Sequence, residues 1–261
     1  MISSIIFILG LCVGSFLNVA IFRVHEERSV VKGRSKCKTC EEPISARDLI
    51  PVLSFFILRG RCRKCKSVIS WQYPLVDFTT GVLFLLFFLK FNFGWFSSPF
   101  VFSIEGMYTL VRDWIFIAFL IVIFVYDLRH MYILDRFTIP AMIIAIIFNL
   151  WIGVIPVMSI MTGAVILGGF FYLQFIISNG AWVGGGDIRM GALMGLMLGL
   201  NQGLVALFIA YLLGAIIGVI LLLSKRVNRK TPIAFGTFMA VGTAVILFFG
   251  NAPLQWYFSL F

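Results

Sequence analysis

The chain has 261 residues, of which 61% are hydrophobic and only 12% charged, with a mean hydropathy of +1.05. Soluble domains carry about 25% charged residues, so the composition excludes an ordinary water-soluble protein and predicts one that dissolves mostly in lipid. The net charge of +10 is concentrated: twelve of the 21 Lys and Arg fall between Arg23 and Tyr73, a topology signal and an attraction to anionic membrane lipids.

The first segment, Ile2 to Phe22, is uncharged and long enough to cross a hydrocarbon core of about 30 Å. No cation precedes it and no small-x-small site ends it, so it reads as a retained first helix with its N-terminus outside. Residues 23–73 then form a basic cytoplasmic domain. No nucleic acid is expected as its partner, because it is tethered to the membrane at both ends and lacks interleaved aromatics.

This domain carries Cys37-x-x-Cys40 and Cys62-x-x-Cys65, each followed at the same spacing by Ile-Ser (Ile44-Ser45 and Ile69-Ser70). Two such knuckles supply four thiolates, the donor set of a structural tetrahedral zinc. The alternatives are two disulfides, against which a cytoplasmic location argues, and free redox thiols, against which the duplicated ligand unit argues. Cys12, alone in the first apolar span, reads as a packing residue.

Further spans are expected at Pro74 to Phe91, Gly106 to Tyr126, Phe137 to Ile155, Val157 to Ser178 and Pro232 to Phe249. Asp77, inside the second, calls for an interfacial Arg or Lys partner. Met190 to Ser224 is 35 residues without a charge, too long for one span of about 20. Two crossings, turning near Asn201-Gln202-Gly203, keep Lys225, Arg226, Arg229 and Lys230 inside. The expected fold is an all-α polytopic membrane protein of about eight transmembrane helices, with a small zinc-binding cytoplasmic insertion between helices one and two. Its parts are 1–22, 23–73 and a membrane enzyme domain, 74–261, with only Lys90 and Arg112 toward the outside.

Two carboxylates stand at the edges of apolar segments: Asp127, and Asp187 in Gly184-Gly185-Gly186-Asp187. The topology brings both to the inner face. Neighbouring carboxylates cannot both ionise cheaply, so one keeps a proton while the other takes one from water, the division of labour that peptide hydrolysis needs. The glycines allow positive φ and close approach of a substrate backbone. Blander readings are a helix cap for Asp187 and a salt bridge to Arg129 or His130 for Asp127. Asp135 competes as second acid but reads as a solvated pair with Arg136.

The segment Asp127-Leu128-Arg129-His130-Met131-Tyr132-Ile133-Leu134-Asp135 and the run Gly184-Gly185-Gly186-Asp187-Ile188-Arg189 resemble the paired motifs of type IV prepilin peptidases, Gly-x-Gly-Asp membrane aspartic proteases. Leu134 stands in place of the family's usual Pro, and Arg189 in place of Lys. Gly14-Ser15-Phe16-Leu17-Asn18-Val19, Asp48-Leu49-Ile50-Pro51-Val52-Leu53-Ser54, Leu58-Arg59-Gly60-Arg61-Cys62 and Tyr73-Pro74-Leu75-Val76 resemble the amino-terminal domain of its bifunctional members.

The resemblance implies Asp127 and Asp187 as the catalytic pair and cleavage of the short basic leader of type IV prepilins or pseudopilins after a glycine. It also implies a bacterial inner membrane, an active site facing the cytoplasm, and N-methylation with S-adenosylmethionine. Gly184, Gly185, Gly186 and Arg189 would form the substrate loop, and Cys37, Cys40, Cys62 and Cys65 the metal site. Two contrary classes are a transporter using the acids for protons or ions and a membrane scaffold docking through its zinc module.

Overall fold

The computed structural model describes residues 1–93, 104–224 and 233–259. The described residues are helical apart from loops, and six of their helices are long and apolar enough to cross a membrane. The basic stretch 225–232, and with it the expected start of the last span at Pro232, lies outside the described residues. Two compact units divide the chain, Met1–Phe93 and Gly94–Phe261.

In the first unit α1 (Ile2–His25) packs along α3 (Gln72–Phe93), with the short α2 (Leu53–Ile57) in the loop between them. The contact is close because Gly10 and Gly14, four residues apart, share a face. A Cβ on Gly10 would lie 2.7 Å from the Gly81 Cα, and one on Gly14 2.7 Å from the Asp77 Cα. Around this seam Leu17, Ile21, Phe84 and Phe87 are buried. Asp77 is met by an amide instead of the expected cation: Asn18 Nδ2 donates to Asp77 Oδ1 at 2.9 Å and to the Tyr73 carbonyl at 3.1 Å. A membrane-depth acid needs a polar partner of either kind, and glycine-level helix contact puts Asn18 nearer than any lysine stem.

The second unit is built on α4 (Ile104–His130), α5 (Asp135–Ile152), α6 (Val157–Ser178), α7 (Gly185–Leu223), α8 (Phe235–Phe249) and the short α9 (Ala252–Phe258). Helix α4 is buried along much of its length, through Phe116, Ile117, Leu120, Val122 and Ile123. Helix α6 ends where Asn179 and Gly180 take left-handed φ of +50° and +78°. Gly180 N–H then closes on the Phe175 carbonyl at 2.9 Å, the bond that tidies a helix C-terminus.

The uncharged 35-residue stretch is not one rod. Gly199 breaks α7 with φ +75° and ψ −177°, and a Cβ on Gly203 would lie 3.9 Å from the Gly195 Cα. Eight residues of straight helix would separate them by about 12 Å, so the chain doubles back into two arms, 185–198 and 200–223. The turn comes at Gly199, ahead of the expected Asn201-Gln202-Gly203; Asn201 and Gln202 are already helical.

A break at such depth is tolerated only where its backbone groups find partners inside the protein. Asn149 Nδ2 donates to the freed Leu196 carbonyl at 2.7 Å, and Leu200 N–H donates to Ser159 Oγ at 3.1 Å. Asn149 is itself held: Arg112 Nη1 donates to its Oδ1 at 3.1 Å, while Arg112 Nε and Nη2 bind Asp113 Oδ1. Arg112, in the half of α4 away from Asp127, is buried in this cluster. The first arm lies against α6 with almost no side chain between, since a Cβ on Gly195 would meet the Gly163 carbonyl carbon at 2.2 Å. The second arm receives α8 through Gly242, whose Cβ would meet the Ala206 oxygen at 2.4 Å.

Candidate active site and zinc centre

Asp127 occupies the last turn of α4 and is 4% exposed. Its Oδ2 accepts the Thr237 backbone N–H at 2.8 Å. Thr237 is the third residue of α8, so the amide is one of the free donors that every helix N-terminus presents. The salt bridge to Arg129 or His130 is not what holds this carboxylate; a neighbouring helix end is.

Asp187 lies at the third position of α7, not at the cap. Gly184 takes the cap position in extended conformation (φ −84°, ψ 161°), and its N–H donates to Asp187 Oδ2 at 2.9 Å. The carboxylate thus closes its own first turn, as an acid at this position commonly does. Positive φ is not what the glycines supply, since none of Gly184, Gly185 and Gly186 adopts it. They supply space. Gly186 lies flush on Ile133, where a Cβ would sit 2.8 Å from the Ile133 Cβ, while a Cβ on Gly185 would meet nothing within 4 Å.

Ile133 is the keystone between the two acids. It is 5% exposed, with its Cβ against Gly186, the neighbour of Asp187. Its Cδ1 lies against Gly236, whose Cβ position is 2.6 Å from that methyl and 2.8 Å from Asp127 Oδ2. Residues 60 positions apart are thereby gathered at one end of the unit. Arg189 Nη1 binds Asp135 Oδ1, which replaces the expected Asp135 pairing with Arg136 and ties the 131–134 loop to α7. Ile133, Gly236 and Thr237 were not singled out from the sequence. The trace of the last two in the sequence is a small residue and a hydroxyl residue near the start of an apolar helix, after a basic stretch.

In the first unit the four cysteines come together. Their sulfurs all lie within 4.8 Å of one another, and Cys37 Sγ is 3.7 Å from Cys65 Sγ. The edge of a tetrahedron with Zn–S bonds of about 2.3 Å is about 3.8 Å, whereas a disulfide requires about 2.05 Å. The two knuckles repeat each other. Cys37 N–H donates to the Glu42 carbonyl and Cys62 N–H to that of Ser67, at 3.0 and 2.8 Å. Lys36 and Pro43 form one bridge, Arg61 and Val68 the other.

Two of the thiols are shifted toward the thiolate that a metal ion binds. The N–H groups of Cys40 and Thr39 point at the Cys37 sulfur and lower its pKa to about 6, and Ser67 lowers Cys65. The Glu42 backbone lowers Cys40, but burial and the Cys37 and Cys65 sulfurs outweigh it and push that thiol up to about 11. Four thiolates at this spacing repel one another until a metal ion joins them.

The Bacterial Peptidase A24 N-terminal domain matches residues 8–91 and the Type IV leader peptidase family matches residues 114–219. The prepilin leader peptidase/N-methyltransferase of Bacillus subtilis (strain 168) is 30% identical over 265 residues, 98% of each chain. The chain belongs to the type IV leader peptidase family. The enzyme of the same description from Aeromonas salmonicida (strain A449) is 29% identical, covering 98% of this chain and 94% of its own. That of Klebsiella pneumoniae is 32% identical, covering 72% and 81%. No solved structure matches the chain. Membership makes this chain an aspartic peptidase and methyltransferase, a multi-pass membrane protein.

Proposed function

We propose that the chain removes the short basic leader of type IV prepilins or pseudopilins on the cytoplasmic side, with Asp127 and Asp187 as its acid pair. The observation that carries this reading is Ile133, which touches the supports of both acids and brings two distant helix ends to one site. One carboxylate takes a proton from water as the water oxygen bonds to the scissile carbonyl carbon. The other, protonated, donates to the carbonyl oxygen, and the amine later leaves with a proton.

Asp127 and Asp187 each have one oxygen engaged by a backbone N–H, and among the described residues the other oxygen of each accepts no hydrogen bond, which leaves it for this exchange. The open face of Gly185 leaves room for an extended substrate beside Asp187, with Gly184, Gly186 and Arg189 completing the substrate loop. The cations at Arg129, Arg136 and Arg189, near the acids in sequence, support the cytoplasmic side. Eight crossings, counting both arms of α7, put both acids on that face.

Cys37, Cys40, Cys62 and Cys65 would hold a structural zinc, which fits their spacing and donor chemistry and fixes the loop between α1 and α3. S-adenosylmethionine, when bound, supplies the methyl group for the new N-terminus. A groove of about 410 Å³ beside the zinc module, lined by Phe55, Phe56, Arg59, Arg61 and Trp71, offers aromatic faces and guanidinium groups that fit its adenine and carboxylate. The transporter and scaffold readings find no support in the family. Mass spectrometry of a co-expressed pilin-like substrate tests the proposal. A product cut after its leader glycine and heavier by one methyl group is expected; an uncut substrate overturns it.

A further inference from the structure

We propose that the Gly236-Thr237 peptide at the start of α8 is a positioning element of the peptidase, setting where the Asp127 carboxylate stands. The inference rests on the reading of Asp127 as one of the catalytic pair. It starts from an electrostatic misfit. Asp127 lies in the last turn of α4, and the Met131 N–H donates to its carbonyl at 2.8 Å. A helix C-terminus carries partial negative charge, so a carboxylate there is disfavoured by its own helix. The first turn of α8 presents the opposite sign, and Thr237 N–H meets Asp127 Oδ2 at 2.8 Å.

The side chain of Thr237 does not compete for this role. Its hydroxyl turns back and donates to the Ala234 carbonyl at 2.6 Å, which braces the turn and leaves the N–H aimed at the acid. Gly236 makes the approach possible. A Cβ there would lie 2.8 Å from Asp127 Oδ2, 3.1 Å from its Cγ and 2.6 Å from Ile133 Cδ1. Real Cβ contacts are not this short, so any side chain at 236 must push the carboxylate off the amide. It must also push Ile133 toward Gly186 and the Asp187 turn.

With Oδ2 committed to Thr237, Oδ1 accepts no hydrogen bond among the described residues and is the oxygen left for the reaction. A rotation of the carboxyl about its bond to Cβ would lose that assignment. The device lies on an element far along the chain from both family motifs, and its donor is a main-chain group. For this reason a list of ionisable residues does not reveal it.

The test compares steady-state cleavage of a prepilin by the full chain in detergent or nanodiscs, with the melting temperature of each variant. Gly236→Ala is expected to lower kcat by about 100-fold, the scale of an ångström's misplacement of a reacting group, with KM within about twofold of the parent. Thr237→Pro removes the N–H at a helix position where proline is tolerated and should lower kcat by about tenfold or more, well below Thr237→Ser. Gly169→Ala is the control, since a Cβ there meets nothing within 4 Å; it should match the parent.

The proposal is overturned if Gly236→Ala and Thr237→Pro both stay within about twofold of the Gly169→Ala control while Asp127→Asn is inactive. A loss confined to KM, or one that follows a matching fall in melting temperature, overturns it as well. An active Asp127→Asn protein would instead remove the reading on which it rests.

Discussion

Replacing Asn149 by Ala strips the Gly199 break of its main support, and the structure gives the size of the effect. Asn149 is 1% exposed, donates to the Leu196 carbonyl at 2.7 Å and accepts from Arg112 Nη1 at 3.1 Å. Leaving a buried carbonyl without a donor costs about 1–3 kcal/mol. Removing the acceptor from a buried guanidinium that keeps Asp113 costs about 1–2 kcal/mol more, because one of its three contacts is lost. Together the expected destabilisation is about 2–5 kcal/mol.

Tryptophan-monitored unfolding in detergent or nanodiscs reads this value, and Ser159→Ala, which removes only the acceptor of Leu200 N–H, should cost about 1 kcal/mol. The two should couple in the double variant, since both serve the same break. If Asn149→Ala unfolds within about 0.5 kcal/mol of the parent, the polar cluster is not what sustains the hairpin, and this account of α7 is wrong.

Two other perturbations have definite outcomes. Cys62→Ser should lower bound zinc well below one ion per chain and open the 34–71 loop to protease, while the melting of the second unit stays as it was; full zinc content in that variant would rule out the four-cysteine centre. Gly195→Ala places a methyl 2.2 Å from the Gly163 carbonyl carbon, backbone against backbone. It should destabilise α6 against α7 by about 3 kcal/mol, measured by the same unfolding assay, whereas Gly169→Ala on the open face of α6 should not.

Much of this molecule can be read directly from residue types. Apolar runs of span length became α1, α3, α4, α5 and α6 with ends within a few residues of those expected. The duplicated Cys-x-x-Cys units fold as duplicated knuckles because each is a local loop whose backbone hydrogen bonds stay within it. What escaped were choices made by distant partners. Gly191, Gly195, Gly199 and Gly203 recur every fourth residue, and any of them could break α7. Asn149 and Ser159, on α5 and α6, select Gly199.

The pairing of Asp135 followed the same logic. Arg136 is adjacent in sequence, yet Arg189 is the partner, since Asp135 opens α5 beside the first turn of α7. Thr237 contributes a backbone N–H, which every residue but proline owns, so no residue type could announce it. Asp77 found Asn18 because glycines on α1 narrowed the gap, a distance that hydropathy does not encode.

The central claim is that Asp127 and Asp187 act together on one substrate. Its most direct test is mass spectrometry of a prepilin incubated with the purified Asp127→Asn and Asp187→Asn proteins, with melting temperature and zinc content measured alongside. The account predicts that each substitution lowers leader removal by about 1,000-fold or more, with melting and zinc unchanged. Leader removal at the parent rate by either protein would contradict it.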